Sequence, residues 1–183
     1  MKRDINSNGY IFLYISILTV IVAVLLTGSS LWLQPYQQRN KENEKRVKIL
    51  EAAGVGKNGK IELIEGEHPF YLVNDSISVV PMQGKGLWGP ISGYIAIVPD
   101  GKTIVGANFD HKSETPGLGG EITTEKFQSQ FKGKQIASDG YYIPVEFDAI
   151  TGATKTSNGV KEMIDNTLNI YTPIFEKLKT AEK

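Results

Sequence analysis

Hydrophobic and polar positions follow three different patterns along this chain, and each predicts a different kind of element. From Tyr10 to Leu33 the apolar residues show no gap wide enough for a polar face, and 24 consecutive residues carry no charge. A helix of that length reaches about 36 Å at ~1.5 Å per residue, enough to cross a bilayer. Tyr10, Trp32 and Tyr36 mark its two ends, as interfacial aromatics do. The small residues Thr27-Gly28-Ser29-Ser30 would also suit a cleaved signal peptide. Apolar residues resume at Leu31-Trp32-Leu33 and no A-x-A site follows, which favours a retained anchor. The pattern then changes: Pro35 to Ala53 reads as a helix continuing from the anchor, with Pro35 suited to a first turn and Gly54 and Gly56 as the stop. Its first half, QQRNKENEKR, is too polar to pack on a core and reads as a solvated stalk, followed by a short apolar patch at Val47, Ile49 and Leu50.

From Ile61 the runs become short and β-rich. Ile61 to Ile64, Phe70 to Val73 and Ile77 to Val80 are separated by turn residues. Ile91 to Val98 and Thr103 to Phe109 flank Pro99-Asp100-Gly101-Lys102, a hairpin signal. Thr123 to Lys132 reads as a short helix with Phe127 and Phe131 inward, and Tyr141 to Phe147 as a further strand. The last helix, about Ser157 to Lys179, is expected to bend or break near Pro173. The expected fold class is α+β: a single N-terminal transmembrane helix, then a compact domain with an antiparallel or mixed sheet and its helices on one face. The divisions are a tail at 1–9, an anchor at 10–33, a helical stalk at 34–56 and the domain at 57–183.

Charge and composition narrow the function classes. Lysine and arginine total 20 against 20 acidic residues, which argues against nucleic acid as a partner. There is no cysteine, so disulfides and thiolate metal sites are excluded. His111 stands beside Asp110 and near Glu114, but with His68 as the one other histidine this reads as a hydrogen-bonded surface residue rather than a metal ligand. No nucleophile–histidine–acid arrangement stands out.

The informative stretch is DAITGATKTSNGV, Asp148 to Val160. Gly152 permits the positive φ of a tight turn, and Ala153 keeps bulk away from whatever approaches the backbone. Thr154, Thr156, Ser157 and Asn158 then precede the helical spacing Val160, Met163, Ile164, Leu168, where capping donors and acceptors are needed. A helix start reached through glycine is also suited to an anion, because free amides and the macrodipole both favour one. On residues alone, an ordinary capped turn and a phosphate site remain open. Two other stretches share that ambiguity. Gly84-Lys85-Gly86-Leu87-Trp88-Gly89-Pro90 is either a strand-entry turn with one anchoring aromatic or a close approach to a planar ligand. Glu114-Thr115-Pro116-Gly117-Leu118-Gly119-Gly120 opens the next helical run and suits an anion or a flat ring, but lacks the patterns of dinucleotide or nucleoside-triphosphate sites.

The run ending in Thr154 resembles the S(T)GAT flavinylation motif, with Asp148 ahead of it and TSNGV behind; Thr151 stands where Ser is also found. With the anchor, the stalk, GKGLWGPISGY and HKSETPGLGGEI in the same order, nearly the whole chain is similar to the NqrC family of the sodium-pumping NADH:quinone reductase. RnfG, from the related Rnf electron-transport complex, shares the anchor and flavin motif and remains an alternative, as does, from another class, an anchored scaffold without redox work. The resemblance implies FMN joined through its phosphate to Thr154, with Asp148, Thr151, Gly152 and Ala153 forming the attachment turn. It implies that Thr115 and Leu118 lie beside the isoalloxazine, in a loop that includes Glu114 and Gly117, with Trp88 near the ring. It also implies electron relay between neighbouring membrane subunits, a flavin transferase that installs the cofactor, and a domain on the periplasmic side of the inner membrane. Charge counting points the other way: Lys2 and Arg3 precede the anchor, whereas Arg39, Lys41, Lys45, Arg46 and Lys48 follow it.

Overall fold

The computed structural model describes residues 8–99, 101–138 and 141–181; Lys2, Arg3 and Asp100, which carried parts of the orientation and hairpin readings, lie outside them. The chain divides into two compact units, Met1–Glu44 and Lys45–Lys183.

The first unit is the N-terminal part of α1 (Asn8–Ala52). Its apolar residues are exposed in every direction, Phe12, Leu26 and Trp32 among them. The hydroxyls of Ser16, Thr19 and Ser29 donate to the carbonyls four residues back, on Phe12, Ile15 and Leu25, so they need no outside partner. Pro35 does not open a second helix, as its position suggested, but lies inside α1. A proline removes one ladder hydrogen bond, and helical propagation on both sides carries the element across the gap.

The second unit begins with the end of α1. Gly54 takes a φ of 65°, and the Val55 and Gly54 amides donate to Leu50 and Glu51, closing the helix with a Schellman turn. Five antiparallel strands follow in sequence order: β1 (Ile61–Ile64), β2 (Phe70–Val73), β3 (Ile77–Lys85), β4 (Pro90–Ile97) and β5 (Ile104–His111). The sheet is thus purely antiparallel. β3 continues beyond the expected Val80 to Lys85, through Pro81. Proline is tolerated there because β2 pairs with β3 only as far as Val79, which leaves one edge of β3 without a ladder to break.

Alternation along the strands sends side chains to two separate clusters. Val80, Met82, Ile95, Ile97 and Phe109 face a core completed by Ile122, Phe127, Phe131, Val160, Met163, Ile164 and Leu168. Val73, Val79 and Ala96 face the other way, against Ile49, Leu50, Ala52 and Ala53. The expectation of helices on one face is therefore corrected: the last helix covers one side, and the end of α1 covers the other. The patch read as the tip of a stalk contributes core residues, and Lys48 donates to Asp110 on β5 at 2.6 Å.

The segment read as a helix from Thr123 to Lys132 is broken into a 3-10 turn at Gly119–Thr123, α2 (Glu125–Gln128) and another 3-10 turn at Ser129–Phe131. Thr124 and Ser129 hydroxyls bond the Glu121 and Lys126 carbonyls and compete with a continuous ladder. Phe127 and Phe131 nevertheless point inward, packed edge-on with Phe109. The strand expected from Tyr141 to Phe147 shrinks to β7 (Tyr141–Tyr142), paired with β6 (Ala137–Ser138). Residues 143–150 are irregular. Pro144 removes a donor, and side chains hold the segment instead: Gln130 accepts from the Asp148 amide at 2.8 Å, and Lys134 donates to the Glu146 carbonyl. α3 (Thr154–Ala181) starts three residues earlier than expected and passes through Pro173 without breaking.

Candidate functional site

The turn before α3 is built from four consecutive residues. The Ala153 amide donates to the Ile150 carbonyl at 2.9 Å, and Gly152, at a φ of 80°, occupies the place where such a turn needs the left-handed region. A side chain at Gly152 would also meet Leu118, whose Cδ2 lies 3.0 Å from where a Cβ would sit. The turn before α3 and the Glu114–Gly120 loop are therefore in contact.

The hydroxyls around this turn have different fates. Ser157 Oγ accepts from the Ile150 amide at 3.0 Å and donates to the Ala153 carbonyl at 3.1 Å, locking the turn onto the helix. Thr156 Oγ1 donates to Glu114 Oε2 at 2.6 Å in a buried contact. Both residues are buried, whereas Thr151 and Thr154 are exposed. Thr154 is the first residue of α3, beside amides that have no preceding helical turn to bond.

Glu114 joins this turn to the Trp88 loop. It is only 4% exposed, and its Oε1 accepts from the Trp88 amide at 2.8 Å. Burial pushes its carboxyl up, but bonds from the Thr156 hydroxyl and the Trp88 and Gly89 amides outweigh that and hold it below the usual carboxylate range. The Glu114 amide in turn donates to His111 Nδ1 at 3.2 Å. His111 is thus a structural acceptor, and no cluster of three metal-ligating side chains occurs among the described residues.

Two large apolar side chains are exposed on the loops that Glu114 ties together. Trp88 is 67% exposed and Leu118 41%. Thr115 and Gly117 are exposed on the same loop as Leu118, with Gly117 at a φ of 73° and the Thr115 carbonyl accepting from Leu118 and Gly120. Asp148 takes a different position. It lines an open cleft of about 510 Å³ with Thr151, Gln130, Thr124 and Phe127, and neither Trp88 nor Leu118 borders that cleft.

Reading along the chain missed the supporting residues. A Cβ on Gly159 would lie 2.1 Å from the Lys85 carbonyl oxygen, and one on Gly84 would lie 2.8 Å from Met163 Cβ, so α3 rests directly on the end of β3. An isolated glycine inside an otherwise helical pattern was the available signal for that contact. Nothing in the spacing of Thr156 and Glu114, 42 residues apart, could have paired them.

An exposed glycine turn at a helix start, with the exposed Leu118 side chain against it, suits a ligand that joins a phosphate to a flat apolar ring. The family described as the FMN-binding domain matches residues 86–169, from the Trp88 loop into α3. A solved structure of the NqrC component of the Na(+)-translocating NADH-quinone reductase from Parabacteroides distasonis superposes with a TM-score of 0.67 at 30% identity, covering 78% of this chain and 96% of that one. NqrC of Shewanella oneidensis gives 0.67 at 26% identity, over 78% and 99%. The sequence of the same component from Pasteurella multocida is 28% identical over 99% of this chain and 98% of its own length. The chain belongs to the NqrC family of the Na(+)-translocating NADH-quinone reductase.

Proposed function

We propose that this chain is a membrane-anchored flavoprotein subunit that relays electrons, within a sodium-translocating NADH:quinone reductase, through FMN carried as a phosphoester on Thr154. The observation that carries the reading is the sorting of hydroxyls at the start of α3. Thr156 and Ser157 are buried and engaged, while Thr154 is exposed at the helix start. A phosphodiester there keeps one negative charge, which the first helical amides and the macrodipole stabilise. Lys155 adds only a weak exposed attraction. Gly152 and Ala153 shape the turn, and Asp148 and Thr151 serve recognition by the flavin transferase. The residues also fit the ring: Trp88 and Leu118 offer exposed apolar surface, and Thr115 and Gly117 are exposed on the loop that carries Leu118. The bound flavin supplies reversible electron uptake and release; the chain's part is to tether it, orient it and leave it accessible to neighbouring membrane subunits.

The anchor is the N-terminal part of α1, the one helix among the described residues long and apolar enough to cross a membrane. The flavin domain then lies on the periplasmic side of the inner membrane, and a reporter fused after Lys183 should be active there; activity confined to the cytoplasm would reverse the orientation. The test of the central reading is intact mass after expression with and without a flavin transferase. A mass increase of one FMN less one water, as a phosphoester requires, dependent on the transferase and with colour that survives denaturation, supports the relay. A chain that stays unmodified beside an active transferase would make it an anchored scaffold.

A further inference from the structure

Glu114 is not placed to touch a ligand. It is buried beneath the rim, and both of its carboxylate oxygens are engaged by the protein. The engaged groups come from three separate parts of the chain: Trp88 on the β3–β4 loop, Thr156 in the first turn of α3, and Glu114's own loop after β5. Glycine makes room for it twice. A Cβ on Gly86 or on Gly119 would lie 2.5 Å from one of its oxygens, so both neighbouring backbones close onto the carboxylate. A buried ionised carboxylate with directed bonds is strongly position-dependent, because moving it off any one donor leaves an oxygen without its partner where water hardly reaches.

We propose that Glu114 is a positioning residue that couples the Trp88 loop to the start of α3, so that the aromatic wall and the attachment turn hold one register. The proposal rests on the reading of Thr154 as the flavin carrier only for its consequence; the coupling is a property of the unmodified chain. When the carboxylate is held by Thr156, the Trp88 amide is held too, although Trp88 and Thr156 share no bond of their own. The lowered pKa of Glu114 is consistent with this role, since it extends the ionised range of the carboxylate to lower pH.

The test uses the full chain in detergent, expressed without a flavin transferase, and reads backbone hydrogen exchange at Trp88. Thr156→Val keeps the side-chain volume and removes one bond to Glu114. Exchange at the Trp88 amide should rise about tenfold, although the substitution does not touch Trp88. Glu114→Ala should speed exchange at both Trp88 and the first turn of α3 by about ten- to a hundredfold, and Glu114→Gln, which retains a carbonyl oxygen, should restore most of the protection at Trp88. If Glu114→Ala does not fold, Thr156→Val and Glu114→Gln still decide the matter. Unchanged Trp88 exchange in Thr156→Val would overturn the coupling. So would Glu114→Gln exchanging at Trp88 as fast as the alanine variant. A second measurement separates this from the flavin reading: with the transferase present, intact mass should show FMN on the wild type and on Glu114→Gln. Coupled exchange without any mass increase would leave the positioning role standing and remove the flavin from Thr154.

Discussion

Two layers of the same site obey different rules. The rim, Trp88, Leu118 and Thr154, is exposed and makes few contacts that folding depends on. The layer directly beneath, Gly84, Gly86, Glu114, Gly119, Thr156 and Gly159, tolerates almost no added atom and carries a buried charge with its donors engaged. On the proposed reading, function lies where substitution is cheap for stability, and the packing beneath it is where substitution is expensive. Thr154 and Thr156 show the contrast at its sharpest: same residue type, two positions apart, one exposed and one consumed by structure.

That contrast breaks most completely at Thr154. Thr154→Ala should remove all covalent FMN, read by intact mass, while a thermal melt shows a cost of no more than about 0.5–2 kcal/mol for one exposed helix-start residue. FMN retained in that variant would transfer the attachment elsewhere on the turn.

Gly159→Ala tests the lower layer. In an open helix the change would stabilise by about 1 kcal/mol through propensity. Here the new Cβ would sit 2.1 Å from the Lys85 carbonyl oxygen, a backbone atom that cannot rotate away. The clash should win, with a net loss of about 2–4 kcal/mol by denaturant unfolding. A stabilised variant would show that α3 lifts off β3 easily.

Thr156→Val should cost about 1–3 kcal/mol, since it leaves one buried carboxylate oxygen without its donor. The same carboxylate predicts a pH effect. Its folded value is depressed, so the stability it contributes is present above the unfolded value and is lost as pH falls through the folded one. Wild type should therefore lose stability more steeply than Glu114→Gln once pH drops below about 4.3. Parallel curves would mean that Glu114 is as well accommodated neutral as charged.

The smallest stability effect belongs to the rim's largest side chain. Trp88→Ala should change folding stability by less than about 0.5 kcal/mol, because the ring is mostly exposed, yet shift the absorbance spectrum of the flavin-loaded protein. An unchanged spectrum would take Trp88 away from the ring.

What the sequence alone determined was local. The charge-free run from Tyr10, the short β-rich runs and the 3.6-residue spacing of Val160, Met163, Ile164 and Leu168 each follow from neighbours in the chain. So does the turn at Gly152, which needs only a residue free to adopt positive φ. Motif order then pointed to the family. Three readings were misplaced at prolines, for two different reasons. β3 runs past Pro81 because no ladder partner waits there, whereas α1 and α3 each give up one hydrogen bond, at Pro35 and Pro173, and propagate past it. Pro144 and the reduced strand after Tyr142 show the opposite outcome.

Tertiary structure alone decided the rest, because it concerned groups far apart in the chain. The second face of the sheet is covered by Ile49, Leu50 and Ala53, residues too few to look like a core until Val73, Val79 and Ala96 are placed against them. Likewise Thr154, Thr156 and Ser157 are equivalent hydroxyls on paper. Only Glu114, brought 42 residues along the chain to Thr156, and the Ile150 amide, folded back onto Ser157, make them different. A side chain's type is local, but its availability is set by which distant partner reaches it first, and burial makes that choice binding because an unpaired polar group out of water costs more than the bond it lost.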